Sequence, residues 1–473
     1  MRTTPTPKSR GAWQGLTLGF SLALALALAS PAALAQIGQR FPSEKKIVID
    51  PVTGVPLSFL TTQAKGDSKI YPSHPHWTSD GQWLIFRSHR VPGEAMAVNE
   101  ASGELVQVSE GGYAGMLNVA QKSMRLVFLR PAAPKGASLK EGVDLPMDVV
   151  VVDLARLFAD SAAGRLQGAS AYQRVVTTLP ARQQAIADNA LDADEQWFYF
   201  RVGAQAAAPH LPAGTKIEPA FGPRGMGAGP TGIAKVNLQT GEVRHVVSVP
   251  FQIGHIQANL WRSGELVFSW ETGGKSPQRT WTVQGDGSGL RPLYPESAHE
   301  WVTHEAIISR DEVALAIMGH RPIPGGLPGQ PGTAVEGANP GQDAAWGNNG
   351  TREKPSGLAI INLRTREMNI AGQTDSGSGL WHVHGSPDGR FAVGDDFARN
   401  LYLIDRRSRE MMLLSAGHKT TARDHPHPTF SPDGTKIQIQ SAMLAEDGRS
   451  LNICVVPVPQ SWLQRAAPAV APR

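Results

Sequence analysis

From Gln36 onward, the chain repeats a pattern in which a tight turn is followed by alternating apolar and polar residues. The clearest copies are HPHWTSDGQWLIFRS from His74, HVHGSPDGRFAVGDD from His382 and HPHPTFSPDGTKIQIQS from His425. An Asp-Gly turn between period-two segments is typical of two antiparallel strands. Weaker copies begin at Gly115, Ala187, His255 and His304, so the pattern predicts seven repeats.

Further strand pairs lie between these copies and bring each repeat to four strands. They begin at Met96, Ile233, Thr280, Leu358 and Leu401, with single runs from Asp148 and Asn452. A half unit, KIVIDPVTGVPLSFLT from Lys46, would supply the outer strand missing from the last repeat. The pattern predicts an all-β fold, a seven-bladed β-propeller closed by an N-terminal strand and formed by residues 36–473 as one domain. We find no helical periodicity of useful length outside the first 35 residues.

Two stretches interrupt the repeats, at about 203–231 and 321–356. Both are rich in Gly, Pro and Ala and have no periodicity. We expect long loops on one rim of the propeller, which either cover a site or have no specific role.

The first 35 residues have the features of a cleavable signal peptide. A basic start is followed by the apolar run LTLGFSLALALALA and a small-x-small sequence, Ala33 to Ala35. The run is short for a membrane span, and no Cys follows it, so we expect a periplasmic or secreted protein without a membrane anchor. The segment carries three basic residues and no acidic ones, so its removal lowers the net charge from +4 to +1. That balance does not favour a nucleic-acid partner.

Cys454 is the single cysteine, so a bound metal would depend on His, carboxylate or amide ligands. Six residues before the turn Asp lie His74, His382 and His427, and Asp188 matches them in the third repeat. His304 has the same spacing to Arg310, whereas His255 and His425 lie two positions further upstream. Equivalent positions of a propeller lie at one height around its axis, so these side chains should line one mouth of the channel.

These histidines have two interpretations. Neutral imidazoles in a group can bind a divalent metal and leave one His as a base, and the two His of the HPH segment share one side of an extended strand. The set His304, His425 and His427 favours a metal. Alternatively, each His only hydrogen-bonds a neighbouring blade. Asp395, His382 and His74 are candidates for contact with a substrate.

Other chemistries lack support in the sequence. No Gly-x-Ser-x-Gly elbow precedes a helix, and no P-loop pattern occurs, so neither an α/β-hydrolase nor a nucleotidase is indicated.

The order of several motifs resembles the oligogalacturonate lyases, seven-bladed propeller enzymes that cleave short pectin fragments by β-elimination. The matching segments are FPSEKKIVIDPVTGVPLSFLT, Gly254-His255, DGSGLRPLY followed by Thr303-His304-Glu305, the VGD ending at Asp395, and HPHPTFSPDG. The Asp-Gly turns alone would equally suit TolB-like repeats.

The resemblance implies a divalent metal, usually manganese, bound by His304, His425 and His427, and a catalytic base at His255. A fourth ligand of the family, a Gln, falls on Ala422. Water, Asp424, His382 or a second substrate oxygen are candidates to replace it. An assisting Arg of the family has no assigned counterpart here.

The chemistry fits these residue types. β-Elimination removes the C5 proton of a uronate, which is weakly acidic until a cation neutralises the adjacent carboxylate. An imidazole can then accept the proton. Together with the predicted signal peptide, the resemblance therefore indicates an exported lyase for an acidic oligosaccharide. The alternative is a non-catalytic TolB-like propeller that binds a protein or peptide at its channel mouth.

Overall fold

The computed structural model describes residues 36–132, 145–185, 188–220, 222, 225–273, 276–296, 301–318, 357–373 and 380–465. The predicted signal peptide at 1–35 and the second Gly/Pro-rich stretch at 321–356 lie outside these ranges. The first stretch, 203–231, is largely inside them and contains two short helical turns and the start of a strand.

Strands dominate the described residues. The first eleven are β1 (Arg40–Phe41), β2 (Lys46–Ile49), β3 (Pro56–Phe59), β4 (Asp67–Lys69), β5 (Trp83–Ser88), β6 (Ala95–Asn99), β7 (Leu105–Gln107), β8 (Ala114–Val119), β9 (Arg125–Pro131), β10 (Met147–Asp153) and β11 (Gln173–Leu179). The next ten are β12 (Asn189–Leu191), β13 (Trp197–Val202), β14 (Ala228–Asn237), β15 (Val243–Phe251), β16 (Ile253–Ala258), β17 (Glu265–Trp270), β18 (Thr280–Gln284), β19 (Arg291–Pro292), β20 (Trp301–Ser309) and β21 (Glu312–Met318). The last nine are β22 (Gly357–Asn362), β23 (Met368–Gly372), β24 (Val383–Gly385), β25 (Phe391–Asp395), β26 (Leu401–Asp405), β27 (Met411–Ser415), β28 (Thr429–Phe430), β29 (Lys436–Ser441) and β30 (Asn452–Pro457).

These strands form seven antiparallel sheets within the described residues, one for each predicted repeat. The first sheet contains β4 to β7 with β1 at its edge, and the seventh contains β28 to β30 with β3 and β2. The sheets between them are β8–β11, β12–β15, β16–β19, β20–β23 and β24–β27. The first strands of neighbouring sheets contact each other in the order β8, β12, β16, β20, β24 and β28. Strands that line the central channel of a propeller have this arrangement. The seven-bladed β-propeller is thereby confirmed.

The Asp-Gly turns form as the pattern predicts. In the three clearest repeats, the hydroxyl of Thr78, Ser386 or Ser431 donates to the turn Asp two residues later at 2.5–2.6 Å. The Gly that follows has a positive φ of 69° to 73°, which a residue without Cβ adopts at little cost. The turns fix the register between the first and second strands of these blades.

Three short α-helices accompany the sheets in the described residues: α1 (Leu154–Ala162), α2 (Ala204–Ala207) and α3 (Gln460–Leu463). The expectation that no helix of useful length exists outside the leader was wrong for α1. Asp153 caps it by accepting the Arg156 backbone N–H, and Leu157 and Phe158 are buried. The helix directly follows the apolar strand β10, and its two turns are too short to show a helical period of their own.

The cores lie between adjacent blades. One cluster joins the first two sheets, and there Trp83 stacks on Phe158 of α1 with ring centroids 4.3 Å apart. In the described part of the chain, no helix is long and apolar enough to cross a membrane.

Candidate metal centre and active site

Three histidines of the channel mouth have an unusual backbone conformation. His255, His304 and His427 have positive φ values of 52°, 55° and 53°. In β16 and β20 the residue lies in a β-bulge, between Gly254 and Gln257 and between Thr303 and Ala306. A left-handed residue other than Gly costs free energy, and such residues concentrate at functional sites, where a bulge re-aims a side chain.

The bulges also correct the position assigned to His255. Counting from the turn placed His255 two residues away from the position of His304. In the structure both occupy the same place in their bulges. The count failed because the loop between β16 and β17 differs in length from the loop between β20 and β21.

Four imidazoles form a cluster at this mouth, which we call the histidine cluster: His304, His382, His425 and His427. The ring centroid of His382 lies 4.0 Å from that of His304, 5.0 Å from that of His425 and 3.7 Å from that of His427. The structure thus brings the three predicted ligands together around His382, which comes from the start of the sixth blade.

Tyr71 follows β4 in the first blade and reaches across the mouth to this cluster. Its hydroxyl oxygen lies 2.5 Å from His304 Nδ1. Its ring is 5.3 Å from the ring of His427 and 5.2 Å from that of His255. The same aromatic ring therefore contacts both the predicted base and the predicted ligands.

Asp395, at the end of β25, is fully buried beneath the cluster. It accepts the backbone N–H of His382 at 2.7 Å and of His427 at 3.2 Å. The Nδ1 atoms of His382 and His425 lie 3.2 Å and 3.5 Å from its oxygens. Asp395 therefore orients histidines, and its contact with a substrate stays a prediction.

The surroundings of these groups favour neutral imidazole rings and a charged Asp395 carboxylate. Burial lowers the pKa of His382 to about 3 and also lowers the pKa values of His304 and His427. Burial opposes the charge of Asp395, but the charge and hydrogen bond of His382 outweigh it and hold the pKa of Asp395 well below its usual range. Neutral imidazoles beside a carboxylate are the protonation states that a metal requires.

His427 and Asp424 form a separate pair in the loop before β28. His427 Nε2 lies 3.0 Å from Asp424 Oδ1, and Gln440 donates to Asp424 and to the carbonyl of His425. Burial raises the pKa of Asp424, yet the hydrogen bond from His427 holds it below its ordinary value.

His255 lies beside the cluster between two carboxylates. Its Nε2 is 3.3 Å from Glu271 Oε2, its Nδ1 is 3.7 Å from Glu305 Oε1, and its side chain is 24% exposed. Arg279 lies 3.3 Å from each of the same carboxylates and is buried. Burial raises the pKa of Glu271, but Arg279 and then His255 lower it to about 2, so this carboxylate remains charged.

His74 does not join this arrangement. Its Nε2 bonds to the carbonyl of Asn189 at 2.8 Å and its Nδ1 to the Ser73 hydroxyl at 2.9 Å. Burial lowers the pKa of His74 to about 4. His74 therefore makes a hydrogen bond between blades, and its contact with a substrate stays a prediction.

The donor set fits a divalent metal. Ligand atoms of His382, Asp395 and His425 lie within 4.8 Å of one another. His304 Nε2 is buried and has no hydrogen-bond partner among the described residues. A buried imidazole nitrogen without a partner is costly unless it binds something, so the cluster is a candidate metal centre.

Several residues of the site were missed in the sequence. Tyr71, Glu271 and Arg279 lie outside the repeated His positions, and Arg279 is the buried arginine beside the predicted base. Trp381 also packs on the His304 ring at 4.7 Å and on Phe397 at 4.7 Å, and so forms an aromatic wall next to the cluster. Tyr71 lies three residues before His74 in the YPSHPHW segment, and that proximity to a His-rich motif was its only signal.

Comparison with known proteins agrees with the fold. A solved oligogalacturonate lyase in complex with manganese superposes with a TM-score of 0.65 at 16% sequence identity, and covers 91% of this chain and 100% of its own. An oligogalacturonate lyase from Vibrio parahaemolyticus gives a TM-score of 0.64 at 17% identity, with 90% and 100% coverage. No protein-family profile and no curated protein sequence matches the chain. The likeness to these structures shows the propeller architecture.

Proposed function

We propose that this protein is an exported lyase that cleaves a uronate-containing oligosaccharide, such as oligogalacturonate, by metal-assisted β-elimination. The observation that carries the proposal is the placement of His255 against the same Tyr71 ring that contacts the histidine cluster. A base and a candidate metal centre therefore face one channel mouth. The two structural neighbours, both lyases of oligogalacturonate, support the same substrate class.

The histidine cluster would hold the metal, with His304, His425 and His427 as the ligands that the resemblance implies. When bound, a divalent cation neutralises the uronate carboxylate and so makes the adjacent C5 proton more acidic. We propose Mn²⁺, because a solved neighbour is a manganese complex and because imidazole and carboxylate donors suit this ion.

His255 accepts the C5 proton in this proposal. An Nε2–H directed at Glu271 Oε2, 3.3 Å away, leaves the lone pair on Nδ1, which has no hydrogen-bond partner among the described residues. Once protonated, the imidazolium is stabilised by the charges of Glu271 and Glu305, which Arg279 holds in place. Charge that forms near preorganised partners needs little reorganisation.

Substrate recognition would involve the aromatic wall. Trp381 and Phe397 lie next to His304 and His425, with the Phe397 and His425 rings 5.6 Å apart. An aromatic face beside the metal centre suits the apolar face of a sugar ring. Tyr71, whose pKa burial raises well above its usual value, remains a neutral phenol among the histidines.

The test uses the mature chain, from residue 36 onward, purified without added metal. We expect bound divalent metal by elemental analysis and growth of ultraviolet absorbance from an unsaturated uronate when oligogalacturonate is added. A chelator should abolish the signal and Mn²⁺ should restore it. Metal-replete protein that leaves oligogalacturonate intact would contradict the proposal.

Export is tested separately. The full-length chain, expressed with its first 35 residues in a Gram-negative host, should accumulate outside the cytoplasm with a mature N-terminus at Gln36. Cytoplasmic retention of an uncleaved chain would contradict this part of the proposal.

A further inference from the structure

Ala422 leaves the implied metal site one ligand short. A methyl side chain has no donor atom, and Ala422 lies in a loop where its backbone N–H bonds to the carbonyl of Lys419 at 3.1 Å. If the site binds a metal with the usual number of ligands, another residue of this chain must supply the missing donor.

His382 lies where such a donor is needed. Its ring contacts those of all three implied ligands, His304, His425 and His427. Its side chain is buried, with only 3% of the residue exposed, and it lies among the three other imidazoles. Burying four rings together is unfavourable for their polar nitrogens unless each has a partner.

The ring nitrogens show a shared orientation. Nδ1 of His304 faces the Tyr71 hydroxyl, and Nδ1 of both His382 and His425 faces Asp395. An Nδ1–H directed at an oxygen leaves the lone pair on Nε2, which is the usual arrangement of a metal-binding imidazole with an orienting carboxylate. His427 differs, because its Nε2 faces Asp424.

We propose that His382 is a metal ligand of this protein and replaces the Gln that is absent at Ala422. The rings nearest to it are those of His427 and His304, and Asp395 lies against the Nδ1 atoms of His382 and His425. The inference rests on the proposed function only in requiring a bound divalent cation.

The neighbouring His384 provides a matched control. It lies on β24, two residues after His382, which directly precedes that strand, and its Nδ1 is 2.9 Å from the carbonyl of Gly385. Its ring faces Phe430, with the ring centroids 6.4 Å apart. Its removal deletes a similar side chain two residues away without removing a proposed ligand.

The experiment measures Mn²⁺ affinity by calorimetry, in the absence of substrate, for the wild type and for His382→Ala, His384→Ala and the double variant His382→Ala with Ala422→Gln. We expect His382→Ala to weaken binding by about 100-fold or more, since even loss of an orienting partner costs about 10- to 100-fold. His384→Ala should stay within about threefold of the wild type. The added Gln should recover at least about tenfold of the loss, and circular dichroism checks that each variant is folded.

A second readout counts the ligands directly. Pulsed electron paramagnetic resonance of the Cu²⁺-loaded protein should detect one fewer coordinated imidazole in His382→Ala and no change in His384→Ala. If the wild type binds Mn²⁺ and His382→Ala binds it equally well with an unchanged imidazole count, the inference is overturned while the proposed function stands. A wild type that binds no divalent metal overturns both.

Discussion

His74 and His382 occupy the same position of their repeats, six residues before the turn Asp, yet they lie in opposite environments. His74 bonds to a main-chain carbonyl of the third blade and to Ser73. His382 faces the carboxylate of Asp395 and contacts three other imidazoles. The repeat position sets the height of a side chain in the channel. The residues of the neighbouring blades determine which groups that side chain contacts.

The two sides of the channel mouth differ accordingly. Around His74 the partners are amides and hydroxyls: Asn118 donates to Asn189 Oδ1, and Asn189 supplies the carbonyl for His74. Around His382 the partners are charged or titratable. Both ring nitrogens of His74 have hydrogen-bond partners, whereas near His382 the buried Nε2 of His304 has none among the described residues and is available to a ligand.

The largest expected effect is the loss of activity on replacing His255, the proposed base near His382. His255→Gln should lower kcat on oligogalacturonate by about 100- to 10,000-fold, since loss of a general base has effects of that size. Its Mn²⁺ affinity should remain near that of the wild type, because His255 is bound to Glu271 and Glu305 and is not a proposed ligand.

His245→Gln is the control for this variant, because His245 stacks on His210 in the outermost strand of the third blade, away from the channel. Initial rates by ultraviolet absorbance check both variants. Near wild-type rates for His255→Gln would remove the base from the mechanism.

The orienting carboxylate should have the next largest effect. Asp395→Asn keeps the shape but removes the charge that faces His382 and His425, so Mn²⁺ affinity should fall by about 10- to 100-fold. Ser73→Ala, which removes the corresponding side-chain partner of His74, should leave that affinity unchanged. Calorimetric titration of both variants distinguishes the two sides, and equal losses would show that the comparison is wrong.

His74→Ala should affect stability rather than metal binding. The variant removes the hydrogen bond to the carbonyl of Asn189 and creates a cavity, so we expect a loss of about 1–3 kcal/mol in the free energy of unfolding. Denaturant melts measure the loss, and Mn²⁺ titration should show unchanged affinity. A large fall in Mn²⁺ affinity with no loss of stability would place His74 in the site.

The smallest effect concerns pH. The pKa of His74 is lowered by burial from 6.5 to about 4, so the unfolded state binds this proton more readily. The free energy of unfolding should therefore fall as pH drops from about 6.5 towards 4, and His74 should add no pH dependence above that window. Urea melts of the metal-free protein at several pH values check this, and His74→Gln should have a shallower slope. Identical slopes in the two proteins would contradict it.

Much of the fold could be predicted because each strand pair depends on residues that are close together in the sequence. The seven Asp-Gly or related turns, such as that at Asp433, set strand pairs through short-range hydrogen bonds, and these recur in the structure. Helix α1 was missed because it directly follows the apolar strand β10. Two turns of helix are too short for periodicity to distinguish them from a strand end.

The site could be predicted only in part. His304, His382, His425 and His427 share a repeat position or a motif, so their convergence followed from the propeller. Tyr71, Glu271 and Arg279 reach the mouth through long-range packing and lie at no repeated position. The bulge that aligns His255 with His304 depends on strand pairing, which spacing along the chain does not report.

The central claim is that cleavage proceeds by elimination at a metal-dependent site. Its most direct test is mass spectrometry of the products formed from oligogalacturonate in heavy-oxygen water by the Mn²⁺-loaded protein. Elimination predicts a product with an unsaturated end and no heavy oxygen incorporated at the cleaved bond. Saturated products that carry the label, or no cleavage by metal-replete protein, would contradict the account.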